Sequence, residues 1–182
     1  MRGPCQRARQ ALRRTDTAIL VTVQGLVPDR AIALARVLSV MGEHAAAWLA
    51  IGTLGAMSAQ GRRRHEWLRA TRAVLFAHAA AVLIKRLLRR ARPSDPRVKV
   101  LAATPSALSC PSAHASSTTA MAMTYAPLMG VGAGAQAVSV GGMAMSRLVL
   151  GVHFPSDVAL GAGLGWVVTT LLRHARQEAL RP

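Results

Sequence analysis

Three short polar clusters interrupt a chain that is otherwise rich in small apolar residues. Lys85 and Arg92 stand seven residues apart, with Pro93 directly after them. Pro111 and Ser112 lead into Ala113 and His114, and Ser146 and Arg147 are followed by His153 and Asp157. These residue types suit phosphoryl transfer, which needs cations around the equatorial oxygens, an in-line nucleophile and an acid for the leaving group. Lys85, Arg92 and Arg147 supply the charge, and a guanidinium fork suits bidentate contact with phosphate. Ser112 and the backbone N–H of Ala113 add neutral donors at a helix start, where the dipole favours an anion. Each cluster alone has a plainer reading. Lys85 and Arg92 belong to a basic run that could simply reach for a membrane interface, and His114 after a Pro-Ser start could be structural. Taken together and in order, the spacings point to one site.

Helices must carry these clusters. A spacing of seven is two helical turns, which puts Lys85 and Arg92 on the same side of one helix end, with Pro93 stopping the helix. Ser112 reads as an N-cap with His114 in the first turn. Ser146 and Arg147 fall near the end of a later helix. Pro155, between His153 and Asp157, is a natural opener for the next one. Each cluster therefore comes from the same end of a different helix, and all can converge on one pocket.

The 182 residues are 52% hydrophobic, 3% aromatic and 16% charged, and 23 Lys and Arg against 7 Asp and Glu give a formal net charge of +16. That length allows one domain with an arm. The apolar fraction excludes a disordered chain. A soluble nucleic-acid binder fits the charge but not its arrangement. The basic residues sit in short clumps between long uncharged apolar runs, as a bilayer demands. The lipid bilayer is the expected partner, nucleic acid is not, and oligomeric state is left open. A spanning helix needs about 20 largely apolar residues. Five spans are expected, over 31–57, 67–88, 112–129, 135–150 and 155–172, with Arg62, Arg63 and Arg64 closing the turn after the first. Glycine and alanine dominate them, which lets helix backbones approach closely in lipid.

Residues 15–27 are too short to span; preceded by Arg7, Arg9, Arg13 and Arg14, they read as an amphipathic helix lying in the interface. They are also too polar for a secretory leader, and no Ala-x-Ala site follows, so the segment is expected to be retained. The chain then divides into a basic arm and interfacial helix over 1–30, a transmembrane domain over 31–173 and a polar C-terminal tail over 174–182. Parity puts the N-terminus, the 89–111 loop and the 150–155 turn on one face. That face is richer in Lys and Arg, which favours the cytoplasm. Residues 104–109 are placed to cover the pocket mouth. Glu43 and His44 fall well inside the first span, where ionisable groups are costly. Glu43 either pairs with Arg36 or His44 or touches substrate, and His78 is left outside the site. Cys5 and Cys110 have no metal spacing and either pair or stay free.

In order, Lys85-x6-Arg92-Pro93, Pro111-Ser112-Ala113-His114 and Ser146-Arg147-x5-His153-x3-Asp157 resemble the three-part signature of the type 2 phosphatidic acid phosphatase (PAP2) superfamily. That pattern reads K-x6-R-P, P-S-G-H and S-R-x5-H-x3-D, and Ala113 stands where glycine is usual. The resemblance covers residues 85 to 157. It implies an all-α polytopic membrane helical bundle with a PAP2/haloperoxidase-like core, about five transmembrane helices and the N-terminal interfacial helix. It also implies a lipid phosphatase in which His153 attacks phosphorus, Asp157 orients His153, and His114 protonates the leaving alcohol. Lys85, Arg92, Ser112, Ala113 and Arg147 would bind phosphate, Glu43 and Ser146 are candidate substrate contacts, and neither metal nor cofactor is required. Haloperoxidases share the pocket but are soluble and larger. A non-catalytic anionic-lipid binder or a membrane scaffold leaves the ordered signature unexplained.

Within the superfamily, residues 102–114 are similar to the actinobacterial decaprenylphosphoryl-5-phosphoribose phosphatases, including the Ala at 113. That likeness implies a polyprenyl-linked phosphoribose substrate in cell-wall arabinan precursor synthesis. The alternatives are a polyprenyl pyrophosphate, and then phosphatidic acid or phosphatidylglycerol phosphate.

Overall fold

Small side chains decide how this chain packs. The computed structural model describes residues 3–179. These form α1 (Pro4–Leu26), α2 (Asp29–Gly42), a 3-10 turn (Glu43–Ala45), α3 (Ala46–Ser58), α4 (Gly61–Leu88), α5 (Ala113–Met129), α6 (Ala133–Val149) and α7 (Pro155–Ala179). The expected all-α class holds, with a lone bridge between Ala91 and Leu108 in place of any strand among the described residues. Helix α5 is the axis, enclosed by α4, α6 and α7. Its Ala, Ser and Thr residues from Ala115 to Ala120 are all buried.

Most hydroxyls of α5 are satisfied inside the bundle, where lipid offers no partner, with Thr119 Oγ1 the buried exception. Ser116 Oγ donates to the Ala77 carbonyl at 2.9 Å, and Thr118 Oγ1 accepts from Trp48 Nε1 at 3.1 Å. A Cβ on Gly161 would lie 2.4 Å from the Ser112 carbonyl oxygen, and one on Gly165 would lie 2.3 Å from that of Ser116. One turn apart, these two glycines let α7 lie directly on the α5 backbone. The outer surface is apolar, with Leu34, Leu54, Leu83, Leu160 and Trp166 all exposed.

Among the described residues three stretches, Asp29–Ser58, Gly61–Leu88 and Pro155–Ala175, are long and apolar enough to cross a membrane. Helices α5 and α6 have 17 residues each, about 25 Å at 1.5 Å per residue. The first expected span is not one helix. It breaks at Glu43–Ala45, where His44 (φ 49°) and Ala45 (φ 58°) both adopt left-handed backbone. Helix α4 begins at Gly61, so Arg62 to Arg64 form its first turn instead of closing the turn before it.

It also ends sooner than Pro93 requires. Arg89 takes the left-handed cap conformation and donates its N–H to the Lys85 carbonyl, so Arg92 lies in the following loop and not on the helix with Lys85. The next residue, Arg90, is drawn off the helix by two buried carboxylates, described below. Helix α1 starts at Pro4, well before the expected 15–27 segment. Helix α7 continues to Ala179, through most of the expected polar tail, whose last residues lie outside the described chain, as does Arg2 of the basic arm.

Candidate active site

The end of the bundle nearest the 89–111 loop encloses a cavity of about 450 Å³. Lys85, Arg92, Ala113, His114, Arg147, His153 and Glu43 all line it, as do Ala103, Thr104, Pro105, Ser106 and Leu108 of the covering loop. Ser112 is the N-cap of α5: its Oγ accepts from the Ala115 N–H at 3.4 Å, and its own N–H donates to the Asp157 carbonyl at 2.9 Å. The start of α5 is thereby tied to the start of α7, and the Ala113 N–H is presented at a helix N-terminus. The methyl group of Ala113 is accommodated without disturbing that cap.

The two arginines are anchored by hydrogen bonds. Arg92 donates through Nε to the Ser106 carbonyl at 2.8 Å and through Nη1 to the Val152 carbonyl at 2.5 Å. Arg147 is only 2% exposed; its Nε donates to Ser146 Oγ at 3.1 Å, and its Nη2 is buried with no hydrogen-bond partner. A buried guanidinium N–H left open is costly and marks a place built for an anion. Ser146 itself does not line the cavity. Its hydroxyl donates to the Met143 carbonyl at 2.8 Å and props Arg147 from behind, so it reaches the cavity only through that arginine.

Partner chemistry sets both histidine tautomers. A guanidinium only donates, so His153 Nε2, 3.3 Å from Arg92 Nη1, is an acceptor carrying a lone pair. The His153 proton then sits on Nδ1, which is buried without a hydrogen-bond partner and faces Asp157 Oδ2 at 3.7 Å, an ion-pair separation longer than a hydrogen bond. A carbonyl only accepts, so His114 Nε2, 3.1 Å from the Ser39 oxygen, carries the hydrogen and leaves Nδ1 free to exchange a proton. Gly42 makes this possible: a Cβ there would lie 2.5 Å from His114 Cδ2. Burial pushes the His153 imidazole down to about 4, opposed by the Asp157 carboxylate and reinforced by Arg92 and Lys85. The ring is neutral at neutral pH.

Asp157 is wholly buried. Its Oδ2 accepts from the Phe154 N–H at 2.9 Å, and its Oδ1 accepts from Arg90 Nη1 at 2.8 Å. Arg90 and its second carboxylate, Asp16, escaped the sequence reading: Arg90 is hidden in a basic run, and Asp16 sits in the N-terminal arm. Glu43 is the one carboxylate lining the cavity among the described residues, with His44 3.7 Å away and His78, also in the wall, carrying a buried Nδ1 without a partner. The Arg36 pairing is not formed. Cys110 is a free, buried thiol, pushed up to about 11 by burial with Asp157 adding to it.

Known proteins share both sequence and fold. Residues 66–181 match the PAP2 superfamily. The decaprenylphosphoryl-5-phosphoribose phosphatase of Mycobacterium tuberculosis (strain CDC 1551 / Oshkosh) is 50% identical over 163 residues, covering 87% of this chain and 89% of that one. Its counterpart from Mycolicibacterium smegmatis (strain ATCC 700084 / mc(2)155) is 51% identical over 150 residues, covering 81% and 82%. The transmembrane PAP2 type phosphatidylglycerolphosphate phosphatase from Bacillus subtilis has the same fold, with a TM-score of 0.74 over 94% of this chain and 88% of that one, at 19% identity. Its apolar helices, ordered clusters and shared fold make this chain a membrane protein and a member of the PAP2 superfamily of phosphatases.

Proposed function

We propose that the protein hydrolyses the 5-phosphate of decaprenylphosphoryl-5-phosphoribose to give decaprenylphosphoryl-ribose, at the membrane interface and through a phosphohistidine. The observation that carries the chemistry is the lone pair of buried His153 Nε2 facing the same cavity as the open Nη2 of Arg147. The half-identity to enzymes of that name over most of the chain supports the substrate.

Phosphate enters between Lys85, Arg92 and Arg147, with the Ala113 N–H as a neutral donor. His153 Nε2 attacks phosphorus, the P–N bond forms, and the P–O bond to the ribose 5-oxygen breaks. With the phosphate dianion in the cavity His114 enters the step as an imidazolium, Nε2–H on the Ser39 carbonyl, and protonates that oxygen from Nδ1–H, becoming neutral. The phosphorylated ring is cationic, and Asp157 stabilises it through Nδ1–H. Water then attacks phosphorus, giving its proton to His114, and the P–N bond breaks to release inorganic phosphate.

Glu43 belongs to the head-group end. A carboxylate repels phosphate but accepts hydrogen bonds from sugar hydroxyls, and His44 and His78 lie beside it. The protein is a multi-pass protein of the cell membrane, and the Lys and Arg bias supports a cytoplasmic site. Phosphate release from purified protein tests the substrate, with decaprenylphosphoryl-5-phosphoribose, undecaprenyl pyrophosphate and phosphatidic acid at equal concentration. Preference for the phosphoribose lipid is expected, and Glu43→Gln weakens that preference. Preference for the pyrophosphate contradicts the substrate but keeps the site.

A further inference from the structure

Helix α1 lies outside the region matched by the PAP2 family, which begins at residue 66, yet it reaches the catalytic apparatus. Asp16, Leu20 and Gln24 recur every fourth residue and so share one face of α1. Leu20 is fully buried against Val98, Phe154 and Val158. Gln24 clasps the backbone at Lys99, away from the cavity wall, donating to the Lys99 carbonyl at 2.7 Å and accepting from the Lys99 N–H at 2.9 Å. Asp16 does something different. It is 3% exposed, and its Oδ1 accepts from the Ser156 N–H at 3.0 Å while its Oδ2 accepts from Ser156 Oγ at 2.5 Å and from Arg90 Nη2 at 2.7 Å. The other arm of the same guanidinium, Nη1, holds Asp157 Oδ1 at 2.8 Å, and its plane lies over the Phe154 ring at 4.3 Å.

Docking α1 does not require this arrangement. Two buried carboxylates share one guanidinium, and burying such charges costs more than an apolar contact that would dock the helix as well. What the arrangement does provide is a fixed fork. With one arm of Arg90 anchored on Asp16, the other arm cannot swing, and Asp157 is held at both oxygens, Oδ1 by Arg90 and Oδ2 by the Phe154 N–H. We propose that Asp16 is a positioning residue for the reaction: acting through Arg90, it fixes the Asp157 carboxylate and with it the His153 ring, making α1 a working part of the active site. Asp16 touches neither the cavity nor substrate, so it governs turnover and not binding.

The test uses the full chain in detergent with any lipid phosphate it hydrolyses. Phosphohistidine trapped by rapid alkaline quench counts competent sites, so turnover is expressed per site and misfolded protein drops out. Asp16→Asn is expected to lower kcat per site about tenfold with KM unchanged, since a small misplacement of a reacting group is enough for such a loss. Arg90→Gln lowers it at least as far, and the double variant is no slower than Arg90→Gln, because both residues act through one connection. Gln24→Ala, which loosens the same helix at its other clasp, lowers the melting temperature but leaves kcat per site intact. If Asp16→Asn does not fold, Asp16→Glu, which keeps the charge but displaces it by a methylene, is expected to show the same kcat loss at constant KM. Wild-type turnover per site in the Asp16 variant that folds overturns the proposal, and so does an equal loss in Gln24→Ala.

Discussion

His153 Nε2 accepts from Arg92 Nη1 at 3.3 Å, so the lone pair proposed to attack phosphorus points at the cation proposed to bind the phosphate. The same arginine is anchored on the Val152 and Ser106 carbonyls, one beside the nucleophile and one on the covering loop. Nucleophile, charge and loop are therefore set by one side chain.

Arg147 brings an unpaired, buried N–H to the same place. Removing one preorganised donor to a developing oxyanion costs on the order of 10²–10³ in rate. Arg147→Ala is expected to lower kcat/KM on that scale, and Arg147→Lys to recover only part, because ammonium lacks the fork. Activity within threefold of wild type in Arg147→Ala would remove this residue from the site.

If His114 protonates the leaving oxygen, its loss matters in proportion to how poor the leaving group is. His114→Gln should lose at least 10²-fold on an alkyl phosphate and far less on p-nitrophenyl phosphate, whose phenolate needs no proton. Gly42→Ala, whose Cβ would press the His114 ring from 2.5 Å, should show the same asymmetry in weaker form. Equal losses on both substrates contradict the assignment.

The titration of His153 has a defined sign. Its folded value of about 4 lies below the ordinary imidazole value of about 6.5. The neutral ring's contribution to stability is fully present above about 6.5 and is lost as pH falls through that value toward 4, where only the unfolded chain has taken the proton. Ring 15N shifts, assigned by the signal missing in His153→Gln, should therefore report a neutral His153 at pH 5.5. A midpoint near 6.5 contradicts the burial seen here.

The helix ends that line the cavity were legible because they obey local rules. Ser112 caps, Pro155 opens, and the spacings of Ser146, Arg147, His153 and Asp157 survive folding unchanged. Lys85 and Arg92 do meet at one cavity, but the two-turn argument fails because α4 stops at Leu88 under the pull on Arg90. That pull comes from Asp157, 67 residues away, and from Asp16, 74 residues away, and Asp16 meets Ser156 across 140 residues. Separations of that size leave no periodic trace. The kink at Glu43–Ala45 was equally hidden, since Glu and His in an apolar run look like misplaced charge until the cavity they face is known. Gly42 read as one small residue among many, and only the His114 ring beside it shows why a side chain there is excluded.

The most direct test of the central claim is to trap the covalent enzyme. Protein incubated briefly with lipid labelled at the scissile phosphate and quenched in alkali should carry label that survives base and is lost in acid, as a P–N bond does. His153→Gln should carry none, and His114→Gln should still accept label from an activated phosphate but discharge it slowly. Absence of any acid-labile phosphoenzyme during active turnover, or label that persists in His153→Gln, would contradict the mechanism.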